Sequence, residues 1–578
     1  MPNAHARLGA QTPTIGVLTD CLEDGYHGAV LNGIAAIARE REMNVLCVVG
    51  GALAPDDREL AAHNRIFERI GAACVDGVVV LAGALGNRVG PDGVRAMLRS
   101  CAGLPTVSIA MALEGASGVL VDDEAGLRAS LGHLVHVHGH RRVAFIRGPV
   151  SNPEAERRYA TYASVLAEAG IALDDALVAP GDFQRASGSR AVALLLDERG
   201  LAIDAIAAAN DQMAFGAIGA LQARGFEVGR SVAVVGFDDA PDARHTEPPL
   251  TTVRQPLDEQ GRRAARQLFA ELRSGAERET YTLRAELVVR ASCGCSAGIG
   301  ARDTTPAAPV RFGFDASIVE RRAAILGAMT RAAAGAFAGA GSGWELRMLT
   351  ALADDLRADT PKSFVPTTLE VLRRAMAGGC DTTICHEVLT VFRRVVLPCL
   401  AHEPIKRAVA EDLLDHVRVA FSQGLERAMA RDRLRAEHWA RTMGRACASV
   451  VGARSREALR GELAEWLPRL GISSLVLVVD DPREGDAVAT SRLVLGWDAK
   501  HPEPAAETAS FASAQLLPST LRPSKRGALY VLFPLVTFDA LRGHALIELA
   551  PATGFGFSGE TLRRVVTAAA VSAGLIAG

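Results

Sequence analysis

Lysine is nearly missing from this chain: Lys362, Lys406, Lys500 and Lys525 are the only four in 578 residues, so almost all of the positive charge is arginine. Such a substitution of arginine for lysine reads as the bias of a GC-rich genome, not as a phosphate-binding design. With a formal net charge of −3, electrostatics gives no reason to expect nucleic acid as the main partner, without excluding DNA. Long apolar runs are absent too. No stretch approaches the roughly 20 residues needed to cross a bilayer, so no membrane partner is expected. The opening MPNAHARLGAQTPTIGVLTD has no apolar run ahead of its first strand-like segment, which predicts no secretory leader and a cytoplasmic location. Catalytic signatures are missing as well. There is no P-loop, no nucleophile elbow, no HExxH and no Gly-Gly-Asp/Glu-Glu-Phe of a diguanylate cyclase. His402-Glu403-Pro404 stands without the glycine-rich nucleotide boxes that a kinase's phosphoacceptor histidine needs. The chain is not expected to be an enzyme.

Cysteine is present but scattered: ten residues, with Cys293-Gly-Cys295 the only close pair. The spacings of a zinc motif do not occur, and reduced, mostly buried thiols are the expectation. His133, His136, His138 and His140 crowd together, yet no carboxylate or cysteine stands at ligand spacing beside them. No metal and no cofactor is therefore expected. What remains is an ordinary globular composition, 49% hydrophobic and 22% charged, long enough for about three to four domains.

From Thr14 to Ser292 short β-branched runs alternate with amphipathic stretches. TIGVLT, NVLCVV, GVVVLA, PTVSIA, RVAFIR, AIAAAN and VAVVGF read as strands, and segments such as AVLNGIAAIARERE and ERRYATYASVLAEAG as helices. This alternation predicts an α/β fold with parallel sheets covered on both faces. Ligands of such sheets bind beyond the carboxyl ends of the strands, where loops and helix N-termini converge.

Four segments in order, LGHLVHVHGHRRVAFIRGP, AANDQMAFGAIGALQARG, VAVVGFDDAPDARHTEPPLTTVRQPLDEQG and ELVVRASCG, resemble the effector-binding domain of the lac/galactose repressor family. The resemblance implies a two-lobed, periplasmic-binding-protein-like sensor over 14–292, built of two Rossmann-like lobes with an effector in the cleft between them. It also implies crossovers near Ile109–Leu113, Phe237–Asp242 and Val253–Pro256. The ligand contacts it implies are Asp24, Tyr26 and His27 after the first strand, Arg158 in RRYAT, and Phe183 as an aromatic wall. Asn210 and Asp238 in AAND and GFDD, and Gln255 at the third crossover, complete them. Tyr26 suits stacking on a sugar or base, and the Arg158 fork suits two hydroxyls or a carboxylate. Each has a structural alternative: Asn210 and Asp211 suit capping of the next helix, Arg158 a surface helix, and Tyr26 and Phe183 the core. Relatives often place a polar residue after the PTVSIA-type strand; here Ala110-Met111 follows it, which leaves the ligand's identity open.

Those repressors carry a helix-turn-helix headpiece ahead of the sensor. Thirteen residues precede Thr14, too few for three helices, so the output is expected downstream or in a partner. A Gly, Pro, Ser and Thr-rich linker is predicted over 293–316 and a helical region over 317–453. In the latter a long helix carries Leu414, Val417, Phe421, Leu425 and Ala428, then Ala436, Trp439, Met443, Ala446 and Val450, as one apolar stripe. The stripe suits a coiled-coil homodimer or packing within its own chain. Over 455–578 the order helix, antiparallel strands, helix is similar to a GAF-type sensor domain. Two functions follow. One is a small-molecule sensor that binds a small polar ligand, sugar-like or nucleoside-like, and signals through its helices to a downstream protein. The other is a transcription regulator of the repressor lineage, reaching DNA by another surface or through a partner.

Overall fold

A computed structural model of the chain describes residues 12–22, 25–295, 313–333, 335–358, 360–378, 380, 382–481, 490–499, 510–517, 526–549 and 559–576. It divides into two compact units, Met1–Cys295 with Arg441–Gly578, and Ser296–Ala440.

In the first unit the run TIGVLT forms β1 (Thr14–Thr19), NVLCVV forms β2 (Asn44–Val49), and β3 (Gly77–Val80), β4 (Thr106–Ile109) and β5 (Ser117–Val121) follow. All five pair in parallel, and β1 to β4 are almost wholly buried, as continuous Val/Ile/Leu runs covered on both faces must be. The second lobe is a parallel sheet of β6 (Val143–Ile146), β7 (Val178–Ala179), β8 (Ala205–Ala208) and β9 (Ala233–Val235), in the order β7-β6-β8-β9. Its core takes in Leu127, Leu131, Phe145, Tyr162, Phe215 and Phe237.

The lobes are joined at three places, of which one lies where expected. The chain first leaves the first lobe after β5, at Asp122, not near Ile109–Leu113: β5 still pairs with β4, while Leu127 on the next helix belongs to the second core. Phe237–Asp242 is no crossover either, since Phe237, Ala243 and Leu250 stay in the second core. The return follows β10 (Thr252–Arg254), as expected near Val253–Pro256, into helix Leu257–Ser274. That helix packs on Gly25–Glu40 so closely that a methyl group on Gly33 would sit 2.1 Å from the Asp258 carbonyl oxygen. The last passage runs from β11 (Thr280–Leu283), parallel to β5, to β12 (Glu286–Val288), antiparallel to β10.

The C-terminal segment does not stand apart from the sensor. Strands β13 (Ile472–Asp480), β14 (Thr490–Asp498), β15 (Phe511–Ala512), β16 (Leu529–Thr537) and β17 (Ala540–Leu549) form an antiparallel array in the order β16-β17-β13-β14-β15. Strand β16 then pairs in parallel with β2, Leu529 to Leu532 opposite Val45 to Val48, so among the described residues a single sheet of eleven strands runs through both. Side chains seal the seam. Arg69 reaches Asp480 and lies 3.3 Å from His544 Nδ1, whose other nitrogen meets the Leu516 carbonyl at 2.8 Å. Burial, with the Arg69 charge beside it, pushes His544 down to about 4.

The second unit is helical, with Phe314–Ala333, Trp344–Asp355, Phe364–Ala377 and Thr382–Val396 around a core that includes Leu414, Val417 and Phe421. Helix Pro404–Gly452 carries the chain back to the first unit, where Met443, Ala446 and Val450 are buried. Both ends of the apolar stripe are thus packed within the chain itself, while Met429 and Leu434 between them are exposed.

Candidate functional site

Helix Pro153–Glu168 starts at the carboxyl end of β6, and its first turn faces the first lobe. Asn152 caps it by accepting from the Glu154 and Ala155 amides at 2.8 and 3.2 Å. The same side chain donates across the cleft to the Gly83 carbonyl at 3.1 Å and to Asn87 Oδ1 at 2.7 Å. Gly83 and Ala110 lie at the ends of β3 and β4. A methyl group on Gly83 would fall 2.6 Å from Ala110 Cβ and 3.2 Å from Glu154 Oε2, so this close approach requires glycine. The Glu154 carboxyl is therefore held against the first lobe. It is 7% exposed, and its Oε1 has no hydrogen-bond partner. Burial, reinforced by the Asp123 charge, pushes its pKa up to about 8.

One turn on, Arg158 is buried. It donates from Nε and Nη2 to Asp123 Oδ1 at 3.1 and 2.8 Å and from Nη1 to the Ala209 carbonyl at 2.8 Å, and stacks 3.8 Å from the Phe237 ring centroid. Burial opposes its charge, but the Asp123 carboxylate that it binds, foremost among its acidic neighbours, outweighs that and holds the guanidinium ionised. Asp123 is shared with Arg157 at 2.9 Å. Asp238 accepts from Gln255 Nε2 at 2.7 Å, and Gln255 in turn accepts from Gln260 at 3.1 Å. Asp238 and Asp239 both have positive φ, 125° and 55°, a strained turn that other contacts must hold. Asp239 supplies them: Arg290 and Arg254 bind its carboxylate at 2.6 and 2.7 Å.

Of the residues proposed from the sequence, Arg158, Asp238 and Gln255 are brought into this one buried polar cluster. Asn210 is the N-cap of helix Asp211–Gln222, accepting from the Met213 amide at 3.0 Å and donating to the Phe183 carbonyl at 3.0 Å. Asp211 does not cap. It accepts from Thr252 Oγ1 at 2.5 Å and from the Ala240 amide at 2.8 Å, and burial raises its pKa. Phe183, at φ 65°, packs over Gly148. Tyr26 is half-buried beside His27, which is buried and meets Asp20 Oδ1 at 2.8 Å. Asp24 lies outside the described residues. Sequence reasoning missed Glu154, Asp123 and Asp239. The run Asn152-Pro153-Glu154 is a helix-start signature that could have flagged the first of them.

Two lobes hinged by three passages around a buried polar cleft define an effector-binding domain of the periplasmic-binding-protein kind. A family model described as a periplasmic binding protein-like domain matches residues 132–293. The HTH-type transcriptional regulator CelR of Thermobifida fusca is 31% identical over 304 residues, half of this chain and 85% of that protein. GalR of Escherichia coli is 31% identical over 261 residues, 44% of this chain and 72% of that one. A solved complex of the regulator CelR with cellobiose aligns at 30% identity over 50% of this chain and 88% of its own, with a TM-score of 0.43. The chain belongs to the lac/galactose repressor family. The relatives are named as transcriptional regulators, in keeping with a sequence that carries no catalytic motif.

Proposed function

We propose that this chain is a ligand-responsive transcription regulator whose effector is a small neutral molecule bearing hydroxyls, held between Glu154, Arg158 and Asp238. The observation that carries the reading is the Glu154 carboxyl, buried in the cleft with Oε1 unpartnered. With its pKa pushed up to about 8, it is largely protonated near neutral pH and can both donate to and accept from a hydroxyl. The neighbouring charges are offset in place, Asp123 against Arg157 and Arg158, which favours a neutral ligand over an ion. A homodimer in the cytoplasm, with DNA reached through another surface or a partner, fits the lineage of the named relatives. A second reading, a sensor that signals to a protein partner, draws on the sheet shared between β2 and β16 and on the long helix, and keeps the GAF-like assignment of the C-terminal strands as its receiving module.

The test is a thermal-shift screen of the full chain against neutral saccharides and nucleosides, followed by calorimetry of the best binder. Asp238→Ala is expected to weaken it by about 1.5–3 kcal/mol, the scale of a hydrogen bond to a charged group. Unchanged affinity in both Asp238→Ala and Arg158→Ala would place the ligand elsewhere. A gel shift on genomic fragments then separates the outputs, because DNA binding weakens steeply with salt.

A further inference from the structure

The second lobe carries a cluster that the cleft does not use. Helix Asp123–Gly132 ends in a π-helical turn, His133–Val137, followed by His138. The sensor's final residues, Ala291–Cys293 and then Gly294 and Cys295, come back against it. His133 Nε2 lies 3.2 Å from His138 Nε2, 3.4 Å from Cys293 Sγ and 3.3 Å from Cys295 Sγ, and Cys295 Sγ lies 3.3 Å from His138 Nε2. All four ligand atoms fall within 4.8 Å of one another. Along the chain no cysteine stands at ligand spacing beside the histidines; folding supplies two from 155 to 162 positions away.

Hydrogen bonds alone do not account for this arrangement. One ring nitrogen offers either one proton or one lone pair, yet three groups converge on His133 Nε2. A metal ion in their midst satisfies all four at once. The spacing agrees with that: tetrahedral zinc, with Zn–N of about 2.0–2.1 Å and Zn–S of about 2.3 Å, sets its ligands about 3.3–3.8 Å apart. Gly294 makes the Cys-Gly-Cys hairpin feasible. Its φ of 98° turns the chain so that both sulfurs face the histidines, and a methyl group there would lie 2.9 Å from the Gly229 carbonyl oxygen.

We propose that His133, His138, Cys293 and Cys295 form a structural site for one Zn²⁺ ion, which fastens the last residues of the sensor to the end of helix Asp123–Gly132. Four protein ligands leave no open position, so the site is structural and not catalytic. His138 is packed edge-on against His133 with centroids 4.8 Å apart, and the Cys293 thiol, which donates to the Arg290 carbonyl at 3.3 Å, gives up that proton when it binds the ion. Arg290 also grips Asp239, so the site sits one turn from the clamp that holds the strained Asp238-Asp239 turn.

The test uses the full chain without a histidine tag, loaded with Zn²⁺ and desalted. Elemental analysis is expected to return one equivalent of zinc, lost in the Cys293→Ser/Cys295→Ser double variant. Should that variant not fold, the wild-type chain with Co²⁺ in place of zinc decides: it must show the intense visible d–d bands and sulfur-to-metal charge transfer of a tetrahedral thiolate complex. Site-resolved alkylation provides a third readout, with Cys293 and Cys295 protected when zinc is bound and labelled after chelation, while the other eight cysteines are indifferent. Retention of no zinc, a Co²⁺ spectrum without thiolate bands, or a stable Cys293–Cys295 disulfide in the reduced, zinc-loaded protein would each overturn the proposal.

Discussion

Glu154→Gln isolates one buried proton. In the folded chain the Glu154 pKa is raised from 4.5 to about 8, first by burial and then by Asp123. A carboxyl with a raised folded pKa favours the folded state fully below its unfolded value and loses that advantage as pH climbs through the folded one. At about 1.4 kcal/mol per unit, the rise from 4.5 to about 8 corresponds to a decline of about 5 kcal/mol across that window. Glutamine has nearly the same shape and does not ionise, so the variant should lack this decline and gain stability relative to wild type as pH rises. The four tryptophans, Trp344, Trp439, Trp466 and Trp497, lie outside the two lobes, so fluorescence does not report on the site. Native-state hydrogen exchange at the β6 amides does, after correction for intrinsic rates. Protection in wild type and Glu154→Gln that changes in parallel between about pH 5 and pH 8 would refute the assignment of a neutral buried carboxyl.

Asp239→Asn should cost about 3–5 kcal/mol, because Arg290, 9% exposed at its side chain, would keep its charge and lose its carboxylate; urea titration followed by β9 exchange measures it. His544, with its pKa lowered to about 4, contributes stability present above about 6.5 and lost as pH falls through about 4, so the melting temperature should fall over that range and fall less in His544→Phe. Ending the chain at residue 525 should leave β1 amides protected and expose those of β2 on their β16 side, with exchange at Val45 and Cys47 accelerating most.

Much of the sensor was legible. TIGVLT and NVLCVV define β1 and β2 to the residue because a strand buried on both faces must be apolar throughout, and their short length and β-branched residues decide for strand over buried helix. Strands β11 and β12 escaped for the converse reason, and β10 was reached only as a crossover that the family resemblance implies. TVR, TYTL and ELV are short and polar, and β11 and β12 are largely exposed or half-buried. Two crossovers were misplaced because a chain leaving a parallel strand reads alike whether it turns back or passes to the other lobe. In the site, Arg158 and Asp238 were found through wording shared with a family. Glu154 was not, since its significance depends on Gly83, 71 positions earlier. Asn210 followed its local chemistry as a helix cap. Neither the β2–β16 pairing nor the His133–Cys295 cluster has a local signature, because each joins segments far apart in the chain.

The shared sheet has a mechanical consequence. Hydrogen bonding from β11 through β2 into β16 and β17 makes the first lobe and the C-terminal strands one stiff plate. The second lobe hangs from that plate on three short tethers, after β5, after β10 and before β12. The chain departs for the helical unit from the second lobe, at Cys295, and comes back through Met443 and Val450 to the segment fused with the plate. Within this first unit the chain's exit and its re-entry therefore belong to different jaws, so any change of jaw angle alters the separation of Cys295 from Met443 and Val450.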